Sequence, residues 1–508
     1  MQNLLPTHKS SPMVINSTSF RRIVMNTRRE RSKQKQQAKK QNSSNTQVIA
    51  QNLVAPINDQ VDELISVSNN SIQPEASADQ PANAEITTQQ AWLIEPRDPL
   101  IVRDGRPFNN TPGARAYTQS FPPPSVLAGV IRSQTAYASK LQFTRNSDDN
   151  RHQGNKLQPI QIYGPVLVEL LEPNEANAEA EFLCPAPADA LLFEPESKIE
   201  DKPSESVPWL RRLIPIQAPA KLVSDFNELG LVGLVEPDPR KPAKEQPHFW
   251  YWKRFLQWLQ DPAGLIDQTQ TAAVQKSTDL GIQGLPIDQR THVEIKPDSQ
   301  QAEDGRLFQT RGLSFTQAND QRLAEARRLA LYVHADYRDT TGLTIPQPSI
   351  APLGGERRLA RWEPTERQLP ACDQAILDAI VKANACRVIL LTPAMFAKGY
   401  RPTWLFEDPR GVQPKLAAIA IKRAQGISGW DLAIHKPKPT RRLAPAGTVF
   451  FLTFPEKENS AAIEAWVRNY WMHCISDAEQ DRRDGFGLAV LGAWDGKLAK
   501  IKGVPNES

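Results

Sequence analysis

The chain has 508 residues, with 61 Lys and Arg against 57 Asp and Glu and a net charge of +4, a mild basicity that hints at an anionic partner. Apolar residues make up 40% and charged residues 23%, as in an ordinary soluble protein with room for a sizeable core. No apolar run approaches the roughly 18 residues a spanning helix needs, which excludes a membrane-spanning helical protein.

The charge is unevenly placed. Residues 1–40 carry ten Lys/Arg and the single acid Glu30, whereas residues 41–90 carry no base and six acids, Asp59, Asp62, Glu63, Glu75, Asp79 and Glu85. The first 90 residues therefore hold +3 of the net charge, and residues 91–508 only +1. This tail lacks glycine, has few aromatic residues and is rich in Gln, Asn and Ser, so it reads as disordered. Its basic start is loosely similar to a transit peptide, and Met13 and Met25 are usable internal starts. A basic arm touching RNA and a dispensable solvated tail are further readings.

Ordered structure is expected to open with a strand over Trp92–Glu95, followed by turn-rich segments at 97–99 and 103–107. Ser125, after the prolines 122–124, is placed to cap a helix through Leu127, Ile131 and Gln134. Strands are expected at Ile160–Tyr163 and Val166–Leu171, and residues 172–247 read as a proline-rich insertion. Phe249–Leu259 has helical spacing with a dense aromatic face, better suited to a core than to stacking on RNA. Leu329–Tyr337 alternates like a strand, although Arg322–Leu331 has an equally good helical pattern. Asp373 caps a helix with Ile376, Leu377, Ile380 and Val381 on one face, feeding a strand at Val388–Leu391. Strands follow at Leu432–His435 and Thr448–Phe454, then an amphipathic helix over Ser460–Cys474 and a last strand after Gly487. Interleaved strands and helices with hairpin pieces point to an α+β fold, sheets on one side and helices on the other.

The sequence supports little catalysis. Cys184, Cys372, Cys386 and Cys474 are scattered, with no CxxC pair, which argues against a zinc site or a disulfide framework and for buried thiols in a reducing cytosol. No Walker A motif or adjacent His-Asp pair occurs. Gly354-Gly355-Glu356 is similar to the acidic turns of nucleotide cyclases, but Arg357 stands where a second metal ligand belongs, and a cation suits a phosphate instead. His292, among polar and basic residues, is the histidine best placed for acid–base work on RNA, with a hydrogen-bonding role as the simpler alternative.

What remains is a set of loops where arginine or lysine neighbours glycine, proline or aromatic residues. They hold Arg103, Arg106 and Arg115; Arg290, Arg306 and Arg311; Arg357, Arg358 and Arg361; Lys398 and Arg401; and Lys436, Lys438, Arg441 and Arg442. Each could be a solvated face, but together they suit a localised groove for a nucleic-acid backbone. Nearby aromatics such as Trp430 could stack on single-stranded bases, and backbone amides at Gly354, Gly355, Gly485 and Gly487 could approach a phosphate closely. Arg132, in the helix after the proline run, completes the candidate RNA contacts.

These loops carry a resemblance. The segment WLIEPRDPLIVRDGRPFNN through FPPPSVLAGVIR at 92–132 resembles the opening of the Cmr subunit three family, RAMP-superfamily components of type III-B CRISPR–Cas effector complexes. IDQRTH, DGRLF at 304–308, LGGERR at 353–358, LLTPAMFAKGYRPTWL at 390–405, GWDLAIHKPKPTRR at 429–442 and DGFGLAV at 484–490 follow in the family's order. The tail lies outside this pattern, and the segment 289–304 is longer and less glycine-rich than the family leads one to expect. The resemblance implies two ferredoxin-like (RRM-like) domains with long insertions. With the tail set at residues 1–90, they divide as 91–315, including the proline-rich insertion, and 316–508. It also implies a cytoplasmic, non-enzymatic subunit without a cofactor or metal. That subunit binds the CRISPR RNA 5′ handle, contacts the large polymerase-like subunit and a backbone RAMP subunit, and meets target RNA only indirectly. The alternatives are a RAMP endoribonuclease using His292 and a protein-only assembly subunit.

Overall fold

A computed structural model of the chain describes residues 88–103, 115–144, 147–170, 181–193, 209–218, 229–263, 277–319, 322–407, 411–431, 436–456 and 458–502. Residues 1–87 of the expected tail, Arg106 and the expected strand at Leu432–His435 lie outside these residues, while Gln89 and Gln90 already belong to the first strand.

The first sheet is built from β1 (Gln89–Pro96), β2 (Gln161–Leu170), β3 (Glu181–Pro185), β4 (Phe249–Tyr251), β5 (Gly281–Ile282), and later strands. Between β1 and β2 lies helix α1 (Pro124–Ala138), and after β4 the chain turns directly into α2 (Trp252–Gln260). A long hairpin, β6 (Ile287–Ile295) and β7 (Ala302–Leu313), precedes β8 (Arg322–Asp336), β9 (Ser349–Pro352) and β10 (Leu359–Thr365). The spatial order is β5–β4–β3–β2–β8–β1–β10–β9, with Thr316–Asn319 pairing the start of β8, and every pairing is antiparallel.

The second sheet follows α3 (Gln374–Ala383). It comprises β11 (Ala385–Leu390), β12 (Lys415–Ala420), β13 (Val449–Thr453), β14 (His473–Cys474) and β15 (Leu488–Ala493), with α4 (Ser460–Tyr470) between β13 and β14. Its order, β12–β13–β11–β15–β14, is again antiparallel throughout. The α+β expectation thus holds as a mixed fold with large antiparallel sheets. Residues 322–336 and 349–365 pair into the first sheet.

Period-two alternation explains how the sheets join. Along β1, Trp92 and Ile94 point into one core with Leu127, Ile131, Leu167, Leu331 and Val333. Ala91 and Leu93 face the opposite core, shared with Val166, Val168, Tyr332 and the strands of the second sheet. The first sheet is buried on both faces, and each large apolar side chain buried there contributes about 1.5–3 kcal/mol.

Several local expectations change. The first helix is entered through Pro123 and Pro124, with proline in its first turn, so Ser125 is not its cap; Pro124 lacks the amide that would be unsatisfied there. Phe249–Tyr251 is a strand because it completes an edge against Leu183–Pro185, and the helix begins only at Trp252. Arg322–Leu331 is strand, since its first part pairs with Thr316–Asn319 and Arg328–Leu331 pairs with β2. By contrast, Asp373 caps α3 as expected, its Oδ1 accepting from the Ala375 amide at 2.8 Å. The final helix stops at Tyr470, and His473–Cys474 forms a short strand instead. All four cysteines are free thiols; three are buried and Cys372 is half-buried.

A buried ion pair ties the proline-rich insertion to the second sheet. Asp189 Oδ2 lies 2.6 Å from Arg387 Nη1 on β11, and both side chains are 0% exposed. Asp189 Oδ1 accepts from Trp258 Nε1 at 2.9 Å, while Arg387 donates to the carbonyls of Trp258 and Ala493. Insertion, α2 and the second sheet therefore meet at one buried polar centre.

Candidate nucleic-acid interface

The loop Leu353–Arg358 links β9 to β10 and is pinned at both ends. Leu353 N donates to Arg358 O at 2.7 Å, and Gly355 N donates to Ile101 O at 2.7 Å. Gly354 has φ +73°, and a Cβ there would lie 2.6 Å from Ile101 O, so glycine is required for this close approach. Glu356 and Arg357, neither of them glycine, both have left-handed φ, 56° and 52°. Such backbone costs on the order of 1–2 kcal/mol per residue and persists where surrounding structure enforces it, commonly at binding sites. It presents Arg357 to solvent, and among the described residues Arg357 has no ion-pair partner. Arg358 is partly buried and paired with Glu356 at 3.3 Å.

Two other segments converge on this loop. Ile101, which accepts the Gly355 amide, lies two residues before Arg103, an exposed residue bridged to Thr118. At the base of the hairpin, Asp288 pairs with Arg290 at 2.9 Å. That hydrogen bond, aided by the positive charge of Arg358, holds the Asp288 carboxyl below its usual range. The Asp288 bond, and beyond it the charge of Asp98, whose Oδ2 accepts from Leu359 N at 3.3 Å, raise the Arg290 pKa. The base of the hairpin therefore lies near the loop that carries Arg357 and Arg358, and Arg103 is two residues from the Ile101 that this loop bonds.

The hairpin runs outward from this rim. Its base is flanked by Arg115–Ala116, which pairs parallel with Gln309 and Thr310. His292 stacks on Phe308 with centroids 5.1 Å apart and a 17° tilt, and its Nε2 lies 2.8 Å from Thr310 Oγ1. The imidazole is thus engaged within the hairpin by Phe308 and Thr310. Arg306 faces Glu294 at 3.7 Å, and Arg311 stacks over the Tyr117 ring at 5.1 Å. Val293, Ile295 and Leu307 near the hairpin end are 38%, 48% and 57% exposed, an apolar surface suited to contact with another molecule.

Other candidates are consumed internally. Arg132, with its side chain 16% exposed, is locked to Asp484 at 2.6 Å and to the carbonyls of Leu157 and Ile160. These contacts clamp α1 to the segment that leads into β2. Gly485 and Gly487 are buried, and their amides donate to Arg482 O and Pro393 O. A Cβ at Gly485 would meet Gly164 O at 2.6 Å, so these glycines serve close packing and leave no donor for a phosphate. Arg361 and Arg328 share Glu95, at 3.2 and 2.8 Å.

A second basic group lies on the ribbon formed by Gln425–Ile427 and Arg441–Leu443. Arg441 pairs with Asp481 at 2.9 Å; burial raises the Asp481 pKa, and Arg441 opposes that shift. Lys438 and Arg442 are exposed without an ion-pair partner among the described residues, as is Lys398 in its turn before Gly399. Trp430 and Lys436 lie on a two-residue ladder at Trp430↔Pro437 and Asp431↔Lys436. Gln119 bonds to Gly426 O and Gln425, tying the ribbon to the segment that follows Arg115. Among the described residues no group of three His, Cys, Asp or Glu side chains is placed to hold a metal. Sequence reasoning missed Tyr117 as the stacking partner of Arg311, although its place two residues after Arg115 was a usable signal.

Fold and loops together define an antiparallel α+β protein with arginines gathered from distant segments onto shared rims. The model of the CRISPR-associated protein family Cas_Cmr3 matches residues 92–494, and the chain belongs to that family. No curated protein matches it. Among solved structures, it is similar to a chain in a cryo-EM structure of the Type III-B Cmr-beta bound to cognate target RNA and AMPPnP, state 1. It is equally similar to a chain in the same assembly bound to cognate target RNA. Each likeness has 14% identity, a TM-score of 0.36 and coverage of 71% of this chain and 86% of the other.

Proposed function

We propose that the chain is a non-catalytic RNA-binding subunit of a type III-B CRISPR–Cas (Cmr) effector complex in the cytoplasm. It holds the 5′ handle of the CRISPR RNA and bridges the large polymerase-like subunit to the first backbone subunit. The observation that carries this reading is the Gly354–Arg358 loop, bonded to Ile101 two residues before Arg103, where two left-handed non-glycine residues hold an exposed Arg357. Such a rim suits phosphates, which a sequence-independent backbone contact reads by charge. A ferredoxin-like reading of the C-terminal half is supported by the order β12–β13–β11–β15 with α4 crossing from β13 towards β15. The first sheet is larger and differs in order, so the paired-domain reading rests on the family for that half.

An endoribonuclease reading would rest on His292, whose ring is already held by Phe308 and Thr310. Incubated with a repeat-containing transcript, the purified protein is expected to bind the RNA and leave it uncut, with or without divalent metal. Metal-independent cleavage abolished by His292→Ala would overturn the non-catalytic reading. Loss of all RNA affinity in the assembled complex would favour a protein-only role.

A further inference from the structure

We propose that a deep cleft walled by the edge of the first sheet and the loops of the second is a channel for a single-stranded segment of RNA. This rests on the RNA-binding reading above and extends it to residues that reading does not use. The cleft has a volume of about 1130 Å³ and is open to solvent. That exceeds the 300–1,000 Å³ typical of small-molecule sites and suits a length of chain.

Its charge selects the occupant. Lys244, His248, Arg327 and Lys422 line it, against Glu245 as the sole lining acid among the described residues. Glu245 accepts from Gln283 Nε2 at 3.1 Å, and Arg327 faces Glu169 at 3.4 Å and bonds to the Tyr251 hydroxyl. Lys244 and Lys422 have no ion-pair partner among the described residues and are exposed to the cleft. Although Lys422 and His248 both reach solvent, crowding by the walls lowers the pKa of the Lys422 ammonium. The same desolvation, with the Lys422 charge added, lowers that of His248. An anion between them relieves both effects. Phe121 and Phe249 form a tilted pair 5.1 Å apart in the wall, and Phe121 is partly open, a face on which a base can stack.

Position supplies the second argument. Ile287, at one rim, is the first residue of β6, directly before Asp288 and Arg290 at the arginine rim. Gln425, also in the lining, pairs with Leu443 on the ribbon that carries Arg441 and Arg442. The cleft therefore connects the two basic groups, and a strand passing through it touches positive charge on entry and exit.

The test uses the full-length chain and a fluorescent single-stranded RNA of about ten nucleotides. Lys422→Glu is expected to weaken binding about tenfold and to reduce the slope of log K against log salt by about 0.7 for each phosphate that is no longer neutralised. Lys244→Glu, on the opposite wall, acts in the same direction. Because an anion favours the imidazolium of His248, binding is tighter at about pH 5.5 than at about pH 8, and His248→Gln flattens this difference. Photocrosslinking from thiouridine in the RNA places contacts at residues 120–122 and 244–249. Unchanged affinity for both Lys→Glu variants while Arg357→Glu still weakens binding would overturn the channel and leave the RNA-binding function standing. Failure of the unaltered chain to bind RNA would overturn both. Loss of subunit assembly with RNA affinity intact would assign the cleft to a protein and likewise overturn it.

Discussion

Replacing Asp189 by Ala is expected to lower the unfolding free energy by about 3–5 kcal/mol, measured by chemical denaturation. The guanidinium of Arg387 is 0% exposed, and Asp189 is its ion-pair partner at 2.6 Å. Arg212 adds to the effect: burial, and next the charge of Arg387, hold its pKa down to about 10, with Asp189 opposing the shift. Removing the carboxylate leaves two neighbouring cations in a poorly solvated site and frees the Trp258 indole N–H. The double variant Asp189→Leu with Arg387→Met is expected to recover most of the loss, because a buried pair replaced by apolar groups of similar volume is often neutral or stabilising. A loss below about 1 kcal/mol for Asp189→Ala would mean that the insertion is not anchored through this pair.

Arg357→Glu is expected to weaken binding of a handle-containing RNA by roughly ten- to a hundredfold at moderate salt, read by anisotropy. The variant reverses a charge that has no ion-pair partner among the described residues and that lies next to Arg358 on a loop bonded to Ile101. The side chain is exposed, and the loop is held by the Gly355–Ile101 and Leu353–Arg358 backbone bonds, so the fold is expected to survive. Arg361→Ala serves as the contrast. Arg361 is already shared between Glu95 and Glu363, at 3.2 and 3.3 Å, and its removal is expected to change affinity by less than about threefold. Equal effects from the two variants would mean that bulk charge, and not the placement of the loop, governs binding.

Much of the fold was legible because it rests on local signals. The Asp373 cap, the apolar face of Ile376, Leu377 and Ile380, and the strand at Val388 follow from neighbours within a turn or two. The errors fall where a distant partner decides. Arg322–Leu331 has a workable helical pattern, yet pairing with Thr316–Asn319 and with β2 holds it as strand. The short aromatic run at Phe249 cannot be told from a helix by periodicity, and the pairing with Leu183–Pro185 settles it. The site divides in the same way. The Gly354–Arg357 turn was readable, since glycines beside an arginine mark a special backbone. Whether an arginine is available was not, because the acids that engage Arg132 and Arg441 lie 352 and 40 residues away in sequence. Gly485 and Gly487 had the pattern of an exposed phosphate loop, but the backbone of β2 fills the space beside Gly485, and that of Ile475 and Ser476 the space beside Gly487.

The most direct measurement of the central claim is site-by-site crosslinking in the assembled complex, with thiouridine at each position of the CRISPR RNA 5′ handle and peptides identified by mass spectrometry. Crosslinks are expected from handle nucleotides to residues 97–103, 288–292 and 353–358 of this chain. Crosslinks from the handle to other subunits alone would contradict it.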